Sequence, residues 1–347
     1  MNNPGEQLLM DRIIRFHTIG DADVLRLERV SPPDLEAGEV LLRVEAFALN
    51  RADVLLRKGR YLESPELPSR LGYDAAGVVE AVGTGVSQVA VGERVFTLPS
   101  FSQTRSGVYG EWAILPERAV TACPPNLARE EASTLGIQYM TGYFGLFELG
   151  RLAAGQHVLI TAASSSAGVA ALGLVRAAGA VSIATTRTTE KKAPLLELGA
   201  DHVIVTDEDD VAQAVRDITK GRGVEVIYDA VAGKGLEAFG SALAPRGVIV
   251  VYGMLGGTRM DFPLLPLFAK GASLHFHRVF DFVGMQSWGL SPNVAAVERA
   301  LGFLLPRLTN GSLKPVVSRT FPIENVIEAH RYMESNQQVG KIVVTID

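Results

Sequence analysis

Residues 158–180 read VLITAASSSAGVAALGLVRAAGA. The opening residues are uniformly apolar, as in a buried strand, and from Ser166 onward small and apolar residues suit a helix. A strand that runs through a short turn into a helix is the repeating unit of an α/β sheet. The turn itself is mostly serine, where such turns are often glycine. Whether it cradles a ligand or only joins two elements depends on its surroundings.

The same rhythm continues on both sides. HVLITAA, AVSIATT, DHVIVTD, VEVIYDA and GVIVVYG alternate with helical patterns, and runs so uniformly apolar suit parallel strands covered on both faces. Up to about Cys123 the texture differs. EVLLRVEAFAL and GVVEAVG are short strand-like runs separated by the turns SPPDLEAGE, SPELPSRLG and VAVGERV, a pattern of mostly β structure. After Ser291, NVAAVERALGFLLPRLTNG reads as a helix that Pro306 should kink or end. Residues 315–347 then read as strand, helix, strand. No internal repeat or flexible linker interrupts the chain.

The 347 residues exceed what one hydrophobic core usually serves, so two domains are expected. A hydrophobic share of 47% and a charged share of 20% suit ordinary globular cores. The formal net charge of −5 carries no footprint for nucleic acid or anionic lipid, so the expected partner is a small molecule. A single cysteine, Cys123, excludes an internal disulfide and a cysteine-rich metal cage, and fits a reducing compartment. MNNPGEQLLMDRIIRF has no basic segment followed by an apolar core, and TAASSS interrupts the longest uncharged run. A soluble, cytoplasmic protein with no membrane association is the expectation.

In a doubly wound sheet, the first strand-to-helix turn holds a pyrophosphate on backbone N–H groups, and small residues let the backbone come close. Ala163, Ser165 and Gly168 fill the spacing that normally carries glycines, with Ser166 and Ala167 between. A serine hydroxyl can donate to phosphate, but serine adopts positive φ less cheaply than glycine. A simple strand–helix joint is the alternative. The second strand ends IATTRTTEKK. NAD-selective folds place an acid near this point, whereas Thr186, Arg187, Thr188 and Lys191 suit a 2′-phosphate, which favours NADPH. Cations at a helix start oppose its dipole unless an anion binds.

The chain as a whole resembles the medium-chain dehydrogenase/reductase superfamily, in its zinc-free quinone oxidoreductase (zeta-crystallin-like) branch. The resemblance runs from about Arg12 to the C-terminus. It rests on ALNRADVLLRKGRY, LPSRLGYDAAGVVEAVGTGVSQVAVGERV, GVYGEW, QYMTGYFGLFE, the serine turn, VEVIYDAVAG and QVGKIVV in order. It implies an α/β fold: a Rossmann doubly wound parallel sheet plus a chaperonin-10-like, mostly β domain. Residues 1–127 and 312–347 would form the chaperonin-10-like substrate domain and 128–311 the dinucleotide-binding domain. AASSSAG departs from the branch's usual AAxGGVG. The resemblance further implies that Thr141 and Gly253 lie at the nicotinamide, that the backbone of the segment from Phe276 through His277 to Arg278 meets its carboxamide, and that the tail from Asn336 to Lys341 contacts the cofactor.

Zinc enzymes of the superfamily carry Cys where this chain has Asn50 and His-Glu where it has Tyr73-Asp74. Catalytic zinc needs three converging ligands, and Asp74 alone does not supply them, so no metal is expected. His275 and His277 alternate on a strand without a third ligand. Hydride transfer to a quinone or an α,β-unsaturated carbonyl needs only hydrogen-bond donors near the oxygen that gains charge. Asn50 is a candidate donor, at the substrate or the cofactor, and Tyr73 a candidate catalytic proton donor. Tyr73 reads equally as a packing residue, and Tyr61 and Tyr139, the other candidates, read more readily as packing. A zinc-free carbonyl or alcohol oxidoreductase and a non-catalytic NADPH-binding protein are the alternatives. Phe280, Phe282 and Trp288 suggest an apolar or planar substrate. The run GASLHFHRVFDF, residues 271–282, is expected to close the sheet and, by the resemblance, to pair with its own copy in a homodimer. Leu274, Phe276, Val279 and Phe280 would supply the apolar surface.

Overall fold

The chain folds as β1 (Arg12–Phe16), β2 (Leu25–Arg29), β3 (Glu39–Ala48), β4 (Asp74–Val82), β5 (Arg94–Thr97), β6 (Trp112–Pro116) and β7 (Val120–Ala122). There follow β8 (His157–Ile160), β9 (Val181–Thr186), β10 (His202–Val205), β11 (Val224–Asp229), β12 (Leu243–Val251) and β13 (Ser273–Phe276), and last β14 (Val317–Pro322) and β15 (Lys341–Thr345). The computed structural model describes residues 11–347. They divide into two compact units: one holds the chain up to Ile137 with Val283–Asn293 and Val317–Asp347, the other Gln138–Phe282 with Val294–Val316.

In the first unit a seven-stranded sheet runs β14-β15-β3-β4-β5-β7, with β6 pairing on β3. Along β3, Val40, Leu42, Val44 and Ala46 are buried while the residues between them are only partly so, the period-two pattern of a sheet with one face on a core. The helix Arg129–Ala132 packs on β3, β4, β14 and β15. That packing carries the first unit past residue 127, the boundary that the resemblance implies, to Ile137.

The second unit is a parallel six-stranded sheet in the order β10-β9-β8-β11-β12-β13, the doubly wound order of dinucleotide-binding folds. Every residue of β8 is buried. Leu159, Ile183, Ile204, Ile227 and Ile249 contribute to one core with Phe239 and Leu243 from outside the central strands' middles. The order reverses between β8 and β11, and ligands of such sheets bind beyond the strand C-termini at this switch point.

Two expectations need correction. The helix Val294–Thr309 is not ended by Pro306. Residue Gly302 stands one turn before the proline, with open space where a Cβ would be, and the Pro306 carbonyl still accepts from the Asn310 N–H at 3.0 Å. Only Ser273–Phe276 of the run 271–282 is strand, and Phe280–Val283 is helical. Val279 and Phe280 are buried and are not available as edge surface.

Candidate functional site

The serine turn in the second unit resolves its own conformational difficulty. Its left-handed residue is Ala162, at φ 45°, ahead of the serines, so none of them has to adopt positive φ. Ser165 instead caps the helix Ser166–Ala177: its backbone is extended at φ −66°, ψ 161°, and its Oγ accepts from the Gly168 N–H at 3.1 Å. Ser166 and Ala167 open the helix, where backbone N–H groups lack intrahelical partners. A Cβ on Gly168 would lie 2.6 Å from Ala163 Cα and O, so helix and strand approach too closely for any other residue. This is the close approach that a pyrophosphate cradle requires.

Asp229, fully buried at the end of β11, braces the neighbouring loop. Its carboxylate accepts from Thr161 Oγ1 at 2.6 Å and from the N–H groups of Val231 and Ala232 at 3.0 and 2.8 Å. The Ala230 N–H in turn donates to Thr161 Oγ1 at 2.8 Å. The ends of β8 and β11 are thereby tied together at the switch point. Sequence reading passed over this residue, although an acid ending the apolar run VEVIY was a visible signal. Tyr252, next in line on β12's exit, stacks on Tyr228 at 4.0 Å with its hydroxyl beside Ser165.

At the end of β9, Thr186 is buried and Arg187 is exposed. Lys191 Nζ donates to Ser164 Oγ at 3.2 Å. Burial, and after it the Arg187 charge, lower the Lys191 pKa. Two cations thus stand together beside the phosphate turn, an arrangement that an added phosphate would relieve.

Thr141 lies on the helix Gly136–Tyr143, which continues as a π-helical turn over Phe144–Leu149. The Thr141 carbonyl is 3.0 Å from His277 Nε2, which fixes the proton on that nitrogen. Burial lowers the His277 pKa to about 4, so the ring is neutral. A Cβ on Gly253 would lie 2.6 Å from the Ala230 carbonyl oxygen, so this loop must carry glycine. Phe276, on the edge strand, is 68% exposed.

The first unit holds a separate buried polar cluster. Asn50, 5% exposed, precedes the helix Arg51–Arg57. Its Nδ2 donates to Asp74 Oδ2 at 3.0 Å and its Oδ1 accepts from Lys341 Nζ at 2.6 Å. Lys341 Nζ also contacts Asp74 Oδ2 at 2.6 Å, with both side chains fully buried. Asp74 Oδ1 accepts from the Ile137 N–H at 2.7 Å. Asp53 Oδ2 accepts from the Asn50 N–H at 2.7 Å and the Tyr109 hydroxyl at 2.8 Å. Burial pushes the Asp53 carboxyl up to about 7. The Asn50–Asp53 pairing is a capping-box spacing legible in NRAD, whereas the Tyr109 and Lys341 partners are remote in sequence.

Tyr73 is fully buried, 5.6 Å from the Phe101 ring, with Tyr61 beside its hydroxyl. Burial raises the Tyr73 pKa well above that of an ordinary phenol. Asn336, at φ 58°, lies just past the helix Val326–Glu334 and accepts from Arg51 Nη2 at 2.6 Å. Asn50, Tyr73, Asn336 and Lys341 thus all lie in the first unit, and the serine turn, Thr141, Thr186, Arg187, Lys191, Gly253, Phe276 and His277 in the second. Among the described residues, no group of three or more His, Cys, Asp or Glu is placed to hold a metal ion. No helix among them is long and apolar enough to cross a membrane.

The strand order, the capped phosphate turn and the glycine-lined switch point define a dinucleotide-binding oxidoreductase fold. Comparison with known proteins agrees. Residues 36–125 match the alcohol dehydrogenase GroES-like domain family, and residues 198–344 match the family described as zinc-binding dehydrogenase. The synaptic vesicle membrane protein VAT-1 homolog of Rattus norvegicus is 32% identical over 90% of this chain and 78% of its own. A 2-haloacrylate reductase from Burkholderia sp is 31% identical over 95% of this chain and 97% of its own. The crystal structure of Escherichia coli quinone oxidoreductase complexed with NADPH superposes with a TM-score of 0.84 at 26% identity, covering 96% of this chain and 99% of that one. The chain belongs to the medium-chain dehydrogenase/reductase superfamily, in its quinone oxidoreductase-like branch, and is an oxidoreductase.

Proposed function

We propose that this protein is an NADPH-dependent reductase that delivers hydride to a quinone or an α,β-unsaturated carbonyl without a metal ion. The observation that carries the cofactor choice is the pair Arg187 and Lys191 beside Ser164, at a strand end where Thr186 stands and no acid does. A 2′-phosphate would accept from both cationic side chains, whereas the hydroxyl of a bare ribose offers them no charge. The relatives named quinone oxidoreductase and 2-haloacrylate reductase support this substrate class.

When bound, the nicotinamide supplies the hydride. The protein's residues bind and orient. The backbone N–H groups of Ser166 and Ala167 would receive the pyrophosphate, while Gly168, whose own N–H is taken by Ser165 Oγ, and Gly253 keep the backbone close. Neutral His277 holds the Thr141 carbonyl. The chemistry of the first-unit cluster supports metal independence. Asp74's carboxylate is already taken up by Lys341, Asn50 and the Ile137 N–H, and an ammonium in contact with a carboxylate opposes a second cation there. Negative charge developing on the substrate oxygen is met instead by an N–H donor, Asn50. We further propose a cytoplasmic homodimer joined along the free edge of β13, because that edge is flanked by exposed apolar side chains.

The test is a cofactor-oxidation assay with a panel of quinones, enones and simple aldehydes under both NADPH and NADH. The proposal expects turnover of quinones or enones with NADPH preferred. Turnover of aldehydes alone, or of none of the panel, would overturn it.

A further inference from the structure

We infer that Lys341 is a positioning residue for this reduction, acting on the substrate through Asn50; the inference rests on the reading just proposed. An ammonium can only donate hydrogen bonds and a carboxylate can only accept them. The Asn50 amide is wedged between one of each, with Oδ1 2.6 Å from Lys341 Nζ and Nδ2 3.0 Å from Asp74 Oδ2. Turning the amide over would set its NH2 on the ammonium and its carbonyl on the carboxylate. One orientation therefore survives. The Asn50 backbone has no more freedom: its N–H donates to Asp53 at 2.7 Å, and the preceding Leu49 N–H donates to the carbonyl of Ile342, Lys341's neighbour, at 3.0 Å.

The consequence is chemical as well as geometric. A cation hydrogen-bonded to an amide oxygen draws electron density from the amide nitrogen, and its protons become stronger donors. Asp74 takes one Nδ2 proton. The other is the one a substrate oxygen would receive as it gains negative charge, from a donor already oriented before the reaction. Lys341 thereby does through Asn50 part of what a Lewis acid would do directly. On this account Lys341 acts through the Asn50 amide rather than by contact with the reacting atoms.

Lys341→Met alone strands the Asp74 carboxylate, so the informative variant is Lys341→Met/Asp74→Asn. It removes both charges of the Lys341–Asp74 pair together and keeps a carbonyl acceptor beside Asn50. NADPH affinity is read by fluorescence titration, turnover by steady-state kinetics with an enone, and the Asn50 side-chain amide by nitrogen-15 NMR. The expected result is an NADPH affinity within about twofold of the parent, a kcat lower by about tenfold or more, and a marked shift of the Asn50 amide resonances. Weakened NADPH binding with kcat retained would make Lys341 a cofactor ligand and overturn the inference. So would an unchanged kcat with unchanged binding. If the parent protein reduces nothing in the panel, the functional reading fails separately. The amide resonances still decide whether Lys341 sets Asn50 when the double variant is read against Asp74→Asn alone: a further shift upholds that part, and resonances unmoved from those of the single variant overturn it.

Discussion

Lys341 Nζ lies 2.6 Å from Asp74 Oδ2, and neither side chain is exposed. Two charges removed from water in this way depend on each other, and removing one leaves the other unpaired in a medium that solvates it poorly. Lys341→Met and Asp74→Leu should therefore each cost about 3 to 5 kcal/mol of stability, while the double variant costs much less than their sum. Urea denaturation of all four proteins measures the coupling. Additive losses would show that the two side chains do not depend on each other.

Cofactor discrimination should reside in the cations after β9. Arg187→Ala removes a charged hydrogen-bond donor to the 2′-phosphate, so it should weaken NADPH binding by about 1.5 to 3 kcal/mol and leave NADH binding nearly unchanged. Titration of the variant with each nucleotide distinguishes this from a general effect. Equal losses for both would remove Arg187 from the phosphate site.

Asp53 gives a pH dependence of definite sign. Its carboxyl is raised by burial to about 7 in the folded protein from an ordinary value of 3.8, with Lys341 and Asp74 facing it with opposite charge. The stability it contributes is full at low pH and is lost as pH rises from about 4 through about 7. The histidines run the other way. Burial lowers His277 to about 4 and His330 to about 3, so their contribution is full above pH about 6.5 and is lost on acidification. Asp53→Asn keeps an oxygen for the Asn50 N–H and the Tyr109 hydroxyl and removes only the ionisation. Its stability relative to the parent should rise by a few kcal/mol between pH about 4 and 7 and level off above. Thermal unfolding across that range is the check, and a constant difference would mean Asp53 does not titrate there.

The edge of the second unit's sheet should carry the dimer. The His277 N–H donates to Val251 on β12 at 2.8 Å, and neighbouring residues of a strand point their amides to opposite sides, so the Phe276 N–H faces outward. Phe276→Pro would remove an outward donor and spare the bond to β12. Phe268 at 79%, Leu265 at 76% and Leu264 at 66% exposure extend the apolar surface onto the flanking helix Leu264–Lys270. Light scattering should give a dimer for the parent and a monomer for Phe276→Pro or Phe268→Glu. A monomeric parent at micromolar concentration would contradict the pairing.

The fold was legible where physics is local. Strands buried on both faces leave unbroken apolar runs, so β8 to β12 could be read from HVLITAA to GVIVVYG, and the alternation along EVLLRVEAFAL marked β3. The strand-to-helix turn was legible in its small residues, but not in its solution to the φ problem. Nothing in AASSSAG indicates that Ala162 takes the left-handed position and frees Ser165 to cap. Edge surface was misjudged for a related reason: Val279 and Phe280 look like strand residues, yet the chain turns inward after Phe276 and buries them. The Asn50–Asp74–Lys341 cluster was least legible. Its members have no periodicity, and only the pairing of β15 with β3 brings position 341 to position 50.

The central claim is hydride transfer from NADPH without metal. The most direct measurement uses NADPH carrying deuterium at both C4 positions of the nicotinamide and an enone substrate, with the protein first dialysed against a chelator. The account predicts undiminished turnover after chelation and one deuterium on the β-carbon of the product, read by mass spectrometry. Turnover abolished by chelation and restored by zinc, or a product without deuterium, would contradict it.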